Sequence, residues 1–553
     1  MILLGNLRFI LFFVAAAVAV LIPLSASAMN IPDASSIMRD LEQQKMRDLA
    51  LPTFPKQPEK VVELPPLDPS KSVLIKEIVF EGNESLTTLA LDLEFANQLN
   101  QNFDFTRMKN LADQVGFFYQ KQGLWAKAIL PQQTLENGQL IIRIFEGRLG
   151  KVEIEKSVAE GEELRFPDDR IRDFILNGQK VGSTFSILEF EDSVKNLNAV
   201  PGITASAVLR AGEELGETDV VINAANAPMV SGSLSLDGNG GRATGYNQAT
   251  TSLSIDGPFG VGDQVTAMLM KSEALTVKSL GGSYPLFSDG TRIGLNITKV
   301  NVAISGSPES ISGTYLLNLS KPFKQSTDMN VTGTASLTRK DTPDEVTADV
   351  LALNGVFSWP STFLGFDSVN SVNLTSTTGF FYPKTNAEAS TNGLYNKFGF
   401  NLKQALTLND TDQLSLTLMG QVAFNNLDSG EKFGIAGLPA VRAYPGGEAT
   451  GDHGYFFSAQ YQRQFGPVFL GRTFFDHGFV VKNQNPWNDE AATGNYVQLS
   501  GVGIGGTWNL PGFMVNADVA TRLGRNPVAQ DDGNDSDGTH RNVRAWISVM
   551  IPF

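Results

Sequence analysis

From Val230 onward, apolar and polar residues take turns one by one. Val230, Gly232, Leu234 and Leu236 fall on one face, and Ser231, Ser233, Ser235 and Asp237 on the other. The final stretch repeats the pattern, with Val543, Ala545, Ile547, Val549, Ile551 and Phe553 against Arg544, Trp546, Ser548, Met550 and Pro552. A period of two marks a strand whose faces meet different surroundings. Residues 228–553 number 326, and a membrane strand of about 9–11 residues with half of each flanking connection takes roughly 20, so about sixteen antiparallel strands fit, with about fourteen or eighteen also open. A soluble sandwich shares such alternation over one strand. A polar second face sustained over hundreds of residues, and an aromatic C-terminus, favour a barrel with a wet lumen.

Upstream the period changes. Asp33 to Ala50 predicts one short helix with Ile37, Met38, Leu41 and Leu49 scattered along a charged, Gln-rich surface. So thin an apolar stripe suits a helix on a surface or in a wet cavity, or a solvated tail. Between Pro52 and Pro69 six of eighteen residues are Pro, which favours an extended tether of roughly 50 Å at about 3.1 Å per residue. Two units of like pattern follow. The first has strand at Val73–Glu81, helices at Ser85–Gln98 and Thr106–Lys121, then strands at Trp125–Pro131 and Gln139–Phe145 around Glu136-Asn137-Gly138. The second repeats the order at Lys151–Glu155, Asp168–Asn177, Ser186–Ala199, Thr204–Arg210 and Thr218–Ala224. The stripe Met108, Leu111, Val115, Phe118 returns with the same spacing as Ile187, Phe190, Val194, Leu197, so both units predict β-α-α-β-β modules. A three-stranded sheet under two helices leaves an edge able to add a partner's strand; a plain spacer is the alternative.

Ahead of all this, Ile10 to Ile22 is uninterruptedly apolar, with Arg8 before it and Ala26-Ser27-Ala28 after it. That is the layout of a secretory signal peptide cleaved after Ala28. Its thirteen residues rise only about 20 Å as a helix, too short for a hydrocarbon core of about 30 Å. Composition then narrows the chemistry. The 553 residues carry 43 Lys+Arg against 58 Asp+Glu, for a formal charge of −15, which disfavours a nucleic-acid partner. With no Cys and only His453, His477 and His540, thiol catalysis, disulfides and a His-based metal site have little to draw on. The 53 Gly and 36 Phe suit many strands, tight turns and rings at an apolar boundary.

Motif-like stretches mostly take bland readings. Gly501, Gly503 and Gly506 satisfy GxGxxG, but Thr507-Trp508-Asn509-Leu510-Pro511 cannot open the helix a pyrophosphate needs. The acidic run Asp531 to Gly538 misses calcium-loop spacing and is expected to be a solvated loop. Asp452-His453 and Asp476-His477 have no identifiable Ser partner, and GxSxG is absent. No catalytic residue, metal or cofactor is assigned, and no enzyme activity is expected.

One stretch, Val441-Arg442-Ala443-Tyr444-Pro445-Gly446-Gly447-Glu448-Ala449-Thr450-Gly451-Asp452, resembles the VRGY/F loop of the two-partner secretion (TpsB) outer-membrane transporters, which export haemolysins and filamentous-haemagglutinin-like adhesins. Phe474-Phe475-Asp476-His477-Gly478 is similar to their F-x-D-x-G strand motif. Asp237-Gly238-Asn239-Gly240 with Thr244-Gly245, and Gly257-Pro258-Phe259-Gly260-Val261-Gly262-Asp263, resemble their first barrel hairpin. Pro131-Gln132-Gln133, Asn137-Gly138 and Glu146-Gly147-Arg148 are similar to the end of their first POTRA module, and Asn198-Ala199-Val200-Pro201-Gly202, Gly212 and Thr218-Asp219 to the second. Ser36-Ile37-Met38-Arg39 and Glu42-Gln43-Gln44 resemble their N-terminal helix. Ala443 stands where many members carry Gly.

The resemblance implies a transmembrane β-barrel of about 16 antiparallel strands, preceded by two α+β POTRA domains and an N-terminal helix. It divides the chain into a signal peptide (1–28), plug helix (29–51), Pro-rich linker (52–70), first POTRA (71–148), second POTRA (149–226) and barrel (227–553). The motif loop would be the sixth extracellular one, folded into the lumen with Arg442 latched to Asp476, supported by Val441, Ala443, Tyr444, Gly451 and Asp452 and by Phe474 and Gly478 on the wall. The implied function is a Gram-negative outer-membrane pore passing a large exoprotein with an N-terminal secretion domain from periplasm to cell surface. Implied partners are that exoprotein, outer-membrane lipid and lipopolysaccharide, and the barrel-assembly machinery through the C-terminal Phe553. The rival readings are a barrel-assembly insertase of the same superfamily, which would ordinarily carry more POTRA units, a passive diffusion porin, which has no use for the modules, and a surface adhesin.

Overall fold

The computed structural model describes residues 32–48, 50–53, 72–159, 161–214, 216–342, 346–384, 391–438, 440–486 and 494–553. The expected signal peptide, most of the Pro-rich tether and Leu49 lie outside these residues. Helix α1 (Ala34–Asp48) begins where the Asp33 carboxylate accepts from the Ser36 backbone N–H at 2.6 Å, an N-terminal cap that satisfies one of the helix's orphan donors.

The first α+β unit holds β1 (Val73–Ile75), β2 (Glu77–Glu81), α2 (Thr88–Phe95), β3 (Gln101–Phe103), α3 (Phe105–Lys121), β4 (Ala126–Ile129) and β5 (Gln139–Glu146). Thr87 caps α2, and Asp104 caps α3 by accepting from Arg107 N at 2.8 Å. The sheet runs β2-β5-β4, with β2 and β5 parallel. The span Val73–Glu81, expected as one strand, divides at Lys76, whose N–H turns away to Gly138 O at 2.8 Å. Its first half pairs instead with the unforeseen β3. The stripe Met108, Leu111, Val115 of α3 packs with Leu91, Phe95, Leu140 and Ile142 in one core.

The second unit repeats the plan with β6 (Arg148–Lys156), α4 (Asp168–Ile175), α5 (Ile187–Asn198), β7 (Ile203–Ala211) and β8 (Glu217–Asn226), sheet order β6-β8-β7. Ser186 caps α5. Backbone bonds tie the units together: Trp125 N to Phe185 O at 3.1 Å, Ile187 N to Gly123 O at 2.9 Å and Phe185 N to Gly147 O at 2.8 Å. The second unit in turn sits on the barrel's near turns. Gln325 N donates to Asp192 Oδ1 at 3.2 Å, and Phe166 and Val200 crowd the space beside Gly262, where no side chain intervenes.

The barrel closes with sixteen antiparallel strands, from Val230–Asp237 to Val543–Pro552, the last paired with the first. Leu280, Leu295 and Ile297 face outward and are exposed, whereas Val277 and Val300, one residue out of phase, are buried inside. The outer face carries aromatic ladders near both ends, as expected at two membrane borders. Phe465, Phe469 and Trp508 stack at 5.7 and 4.8 Å near the α+β units; Tyr455, Phe479 and Tyr496 stack at 5.9 and 6.2 Å near the far end.

Candidate functional site: the occupied lumen

The connection between strands Asp412–Ala423 and His453–Phe465 opens at the far end, yet it turns back into the barrel. Phe433–Gly434 pairs with Thr450–Gly451, which makes the connection a hairpin, and its tip carries the Arg442 motif. Arg442 and Asp476 are 2 % and 1 % exposed. The Nε donates to Asp476 Oδ2 at 2.7 Å and Nη2 to Oδ1 at 2.8 Å, the two-pronged geometry that a planar guanidinium allows and an ammonium does not. Ser458 donates to the same carboxylate at 2.8 Å. Gln460 accepts from Nη1 at 3.1 Å, and the guanidinium lies over the Phe474 ring. The Arg442 carbonyl accepts from Trp546 Nε1 at 2.9 Å. The tip is thus held from two sides of the wall.

The other motif residues surround this contact. Val441 and Ala443 are fully buried, and Tyr444 faces the Arg522 guanidinium at 5.3 Å. Asp452, also fully buried, accepts from Leu427 N at 3.1 Å and Gln484 N at 2.7 Å, with Lys432 at 3.2 Å. Gly451 and Gly478 are small out of need: a Cβ on Gly451 would come within 2.2 Å of Val481 O, and one on Gly478 within 2.7 Å of Ile435 Cβ. The departure at Ala443 is met on the wall, where Gly501 leaves room; a Cβ there would lie 2.6 Å from the Ala443 methyl. The GxGxxG stretch is therefore a strand, as its sequence indicated, and its glycines accommodate Ala443 and Phe474.

Helix α1 lies in the same lumen. Ala34 and Met38 pack against Leu275, Val277, Val300 and Val302, and Asn401 Nδ2 donates to Met46 O at 2.8 Å. Its polar side chains mainly hold the inward loop. Arg39 Nη1 donates to Ser429 O at 2.9 Å, Gln43 exchanges two bonds with the Gly434 backbone at 2.6 and 3.2 Å, and Arg47 donates to the carbonyls of Leu438 and Ala440. Lys340 links Glu42 of the helix at 3.2 Å to Glu431 of the loop at 2.9 Å, and Lys397 meets Glu431 at 2.7 Å. Helix, loop and wall leave a cavity of about 1630 Å³ between them.

Sequence reasoning missed two parts of this assembly. Glu431 sits in a stretch with no motif. The acidic run expected to be solvated is so only at Asp531 and Asp532, which are exposed; the rest is a correction, with Asp535 fully buried, bound by Arg522 Nη1 and Nη2 at 3.0 and 2.9 Å and by Arg544 at 2.9 Å. The neighbouring Ser536 N donates to Glu448 of the inward loop at 2.8 Å, so the last long connection clasps the inward one. Arginines flanking the acidic run were the signal available in the sequence.

A closed barrel, α+β modules at one mouth and a lumen filled by the chain's own helix and loop define an outer-membrane protein-export pore rather than an open diffusion channel. Residues 73–147 match the family model "POTRA domain, ShlB-type", and residues 216–276 match "Haemolysin secretion/activation protein ShlB/FhaC/HecB". The heme/hemopexin transporter protein HuxB of Haemophilus influenzae (strain 86-028NP) is 24 % identical over 580 residues, covering 98 % of this chain and 98 % of the relative. The outer membrane transporter CdiB of Escherichia coli O6:K15:H31 is 26 % identical over 190 residues, 34 % of this chain and 31 % of the relative. In fold, the chain is similar to the solved CdiB from Escherichia coli, with TM-score 0.69 and 18 % identity over 96 % of this chain and 100 % of that one. CdiB from Acinetobacter baumannii gives TM-score 0.64 and 18 % identity, over 95 % of this chain and 100 % of that one. The chain is thus similar to the two-partner secretion transporters of the haemolysin secretion/activation family, through both matched segments and through a relative aligned along nearly its whole length. It is an exoprotein-secreting pore of the outer membrane, with its POTRA units in the periplasm and the far end of the barrel at the cell surface.

Proposed function

We propose that this pore rests shut, with α1 and the sixth extracellular loop as a composite plug and the Arg442–Asp476 pair as the latch that sets the loop in place. The reading rests above all on the buried two-pronged contact between a loop tip and the wall of a lumen that cargo must cross. The unfolded exoprotein, carrying an N-terminal secretion domain, docks on residues 71–226, whose edge strand β7 offers backbone groups for strand addition. Helix and loop then leave the lumen, and folding of the cargo outside gives the passage its direction. Phe553, which exchanges two 2.9 Å backbone bonds with Gly232, is the signal read by the barrel-assembly machinery, and outer-membrane lipid with lipopolysaccharide is the barrel's solvent. Its work is transport without catalysis, over the domain limits given above.

A chain without cysteine makes the test clean. Gln43→Cys with Gly434→Cys, oxidised in the membrane, ties α1 to the loop. Secretion should stop and return on reduction, while the barrel remains heat-modifiable. Undiminished secretion through the oxidised protein would refute the composite plug.

A further inference from the structure

The outward face of the barrel changes character along one row of residues. On strand Gln264–Lys271 the outward positions run Val265, Ala267, Leu269 and then Lys271; on Leu275–Pro285 they run from Tyr284 through Gly282 and Leu280 to Lys278; on Arg292–Val302 they run Ile293, Leu295, Ile297 and then Lys299. All three lysines are exposed and lie in the extracellular half, close to the ends of their strands. Lys278 and Lys299 stand directly opposite each other in register. Cross-strand side chains so placed have Cβ atoms about 4.5–5.5 Å apart, and like charges there destabilise the sheet.

Three of the nearby carboxylates are engaged elsewhere. Asp341 is held by Lys384 at 2.6 Å, Asp349 pairs with Arg339 at 3.6 Å, and Glu309 accepts from Asn301 at 2.6 Å. Among the described residues no carboxylate pairs with Lys271, Lys278 or Lys299. A chain with 58 acidic side chains thus leaves two opposed ammoniums unneutralised where its lipid-facing band ends. Next in the row is Gly313, opposite Lys299. It has no side chain to fill the surface, and the Tyr315 ring leans over it: a Cβ at 313 would lie 3.8 Å from Tyr315 Cε2 and 4.0 Å from its hydroxyl oxygen. Two cations and a phenol donor thus gather above Leu269, Leu280 and Ile297, all three exposed on the outer face.

We propose that this cluster binds a phosphate of an outer-leaflet glycolipid. The phosphate bridges the Lys278 and Lys299 ammoniums and takes a hydrogen bond from the Tyr315 hydroxyl; Lys271 flanks it, and the acyl chains lie on the leucines and isoleucine below. Charge complementarity selects the occupant, because a dianion between the two lysines converts their repulsion into two charge-assisted bonds. The site is the outer face of the wall whose inner face, at Val277 and Val300, packs against α1, so lipid binding is measured directly rather than through secretion.

The test uses the full-length protein in detergent, stripped of lipid, with native mass spectrometry as the readout. Bisphosphorylated lipid A is the probe, and its dephosphorylated form the control. Wild type should hold the bisphosphorylated lipid at least tenfold more tightly than Lys278→Gln/Lys299→Gln, and the dephosphorylated form should bind both equally weakly. Lys324→Gln at the periplasmic end of its strand should bind as wild type. Lys278→Glu supplies a second arm: it places a carboxylate opposite Lys299, so the barrel should be no less heat-resistant while the lipid is lost. Equal retention by wild type and both variants, retention independent of the lipid's phosphates, or complete displacement by inorganic phosphate would each overturn the proposal.

Discussion

Replacing Arg442 with Ala removes both prongs from Asp476 and leaves that carboxylate with Ser458 as its main remaining donor. Breaking a fully buried pair costs about 3–5 kcal/mol, because the surviving charge stays out of water. Exposures of 2 % and 1 % place this pair in that class. The adjoining cavity of about 1630 Å³ is lined in part by Arg442 and lets water reach the stranded carboxylate, so the lower figure, about 3 kcal/mol, applies. At about 1.4 kcal/mol per decade, the docked loop loses roughly a hundredfold in equilibrium. In planar bilayers, Arg442→Ala should therefore show an open probability roughly a hundred times higher, with unchanged heat-modifiability of the barrel and impaired secretion. Arg442→Lys should behave nearly as badly, since an ammonium cannot span both carboxylate oxygens. Asp476→Ala strands the guanidinium instead, with Gln460 at 3.1 Å and Asp518 at 3.7 Å to share it. The double variant should then be no worse than either single one, and strictly additive effects on open probability in this cycle would refute the latch.

Deleting residues 32–48 should raise single-channel conductance and leave the barrel heat-modifiable; unchanged conductance would make α1 a bystander. Gly501→Ala drives a methyl to 2.6 Å from the Ala443 methyl, an overpacking cost of about 1–3 kcal/mol; cells should become sensitive to a bulky antibiotic, and Ala443→Gly in the same chain should restore resistance. Asp535→Asn leaves Arg522 and Arg544 without their shared carboxylate, so the clasping loop should become cleavable by added trypsin on intact cells, which Glu448→Gln should produce to a smaller degree. Removing residues 71–148 should abolish secretion without preventing insertion of the barrel, as seen by surface labelling.

The barrel was legible because lipid outside and water inside impose opposite demands on alternate residues, strand after strand from Val230 to Phe553. The modules were legible through the helical stripe of Met108 to Phe118, which returns at Ile187 to Leu197. What periodicity could not carry was placement. A polar helix such as α1 suits any wet surface, and only the structure puts Gln43 on Gly434 and Arg47 on the loop carbonyls. The pairing of Arg442 with Asp476, one on a loop tip and the other on a wall strand, has no local signature, and it became an expectation only through the resemblance of both motifs. The acidic run misled because carboxylates beside glycines ordinarily stay in water; here Arg522 and Arg544 come from two barrel strands to neutralise Asp535. The division at Lys76 depended on one carbonyl, that of Gly138, in the turn that leads into β5.

The grip of α1 on the loop rather than mainly on the wall decides how the cell's permeability barrier fails. A state in which the helix alone has gone leaves Ser429 and Gly434 of the loop without their helix partners; one in which the loop alone has gone leaves Arg39, Gln43 and Arg47 without theirs. Both halfway states forfeit this shared set of helix–loop bonds, so each is disfavoured against the state in which helix and loop are both in place. If helix and loop plug the resting pore as proposed, leakage through this protein becomes a matter of duty cycle rather than aperture, and a toxin excluded by a shut pore meets either nothing or the full bore.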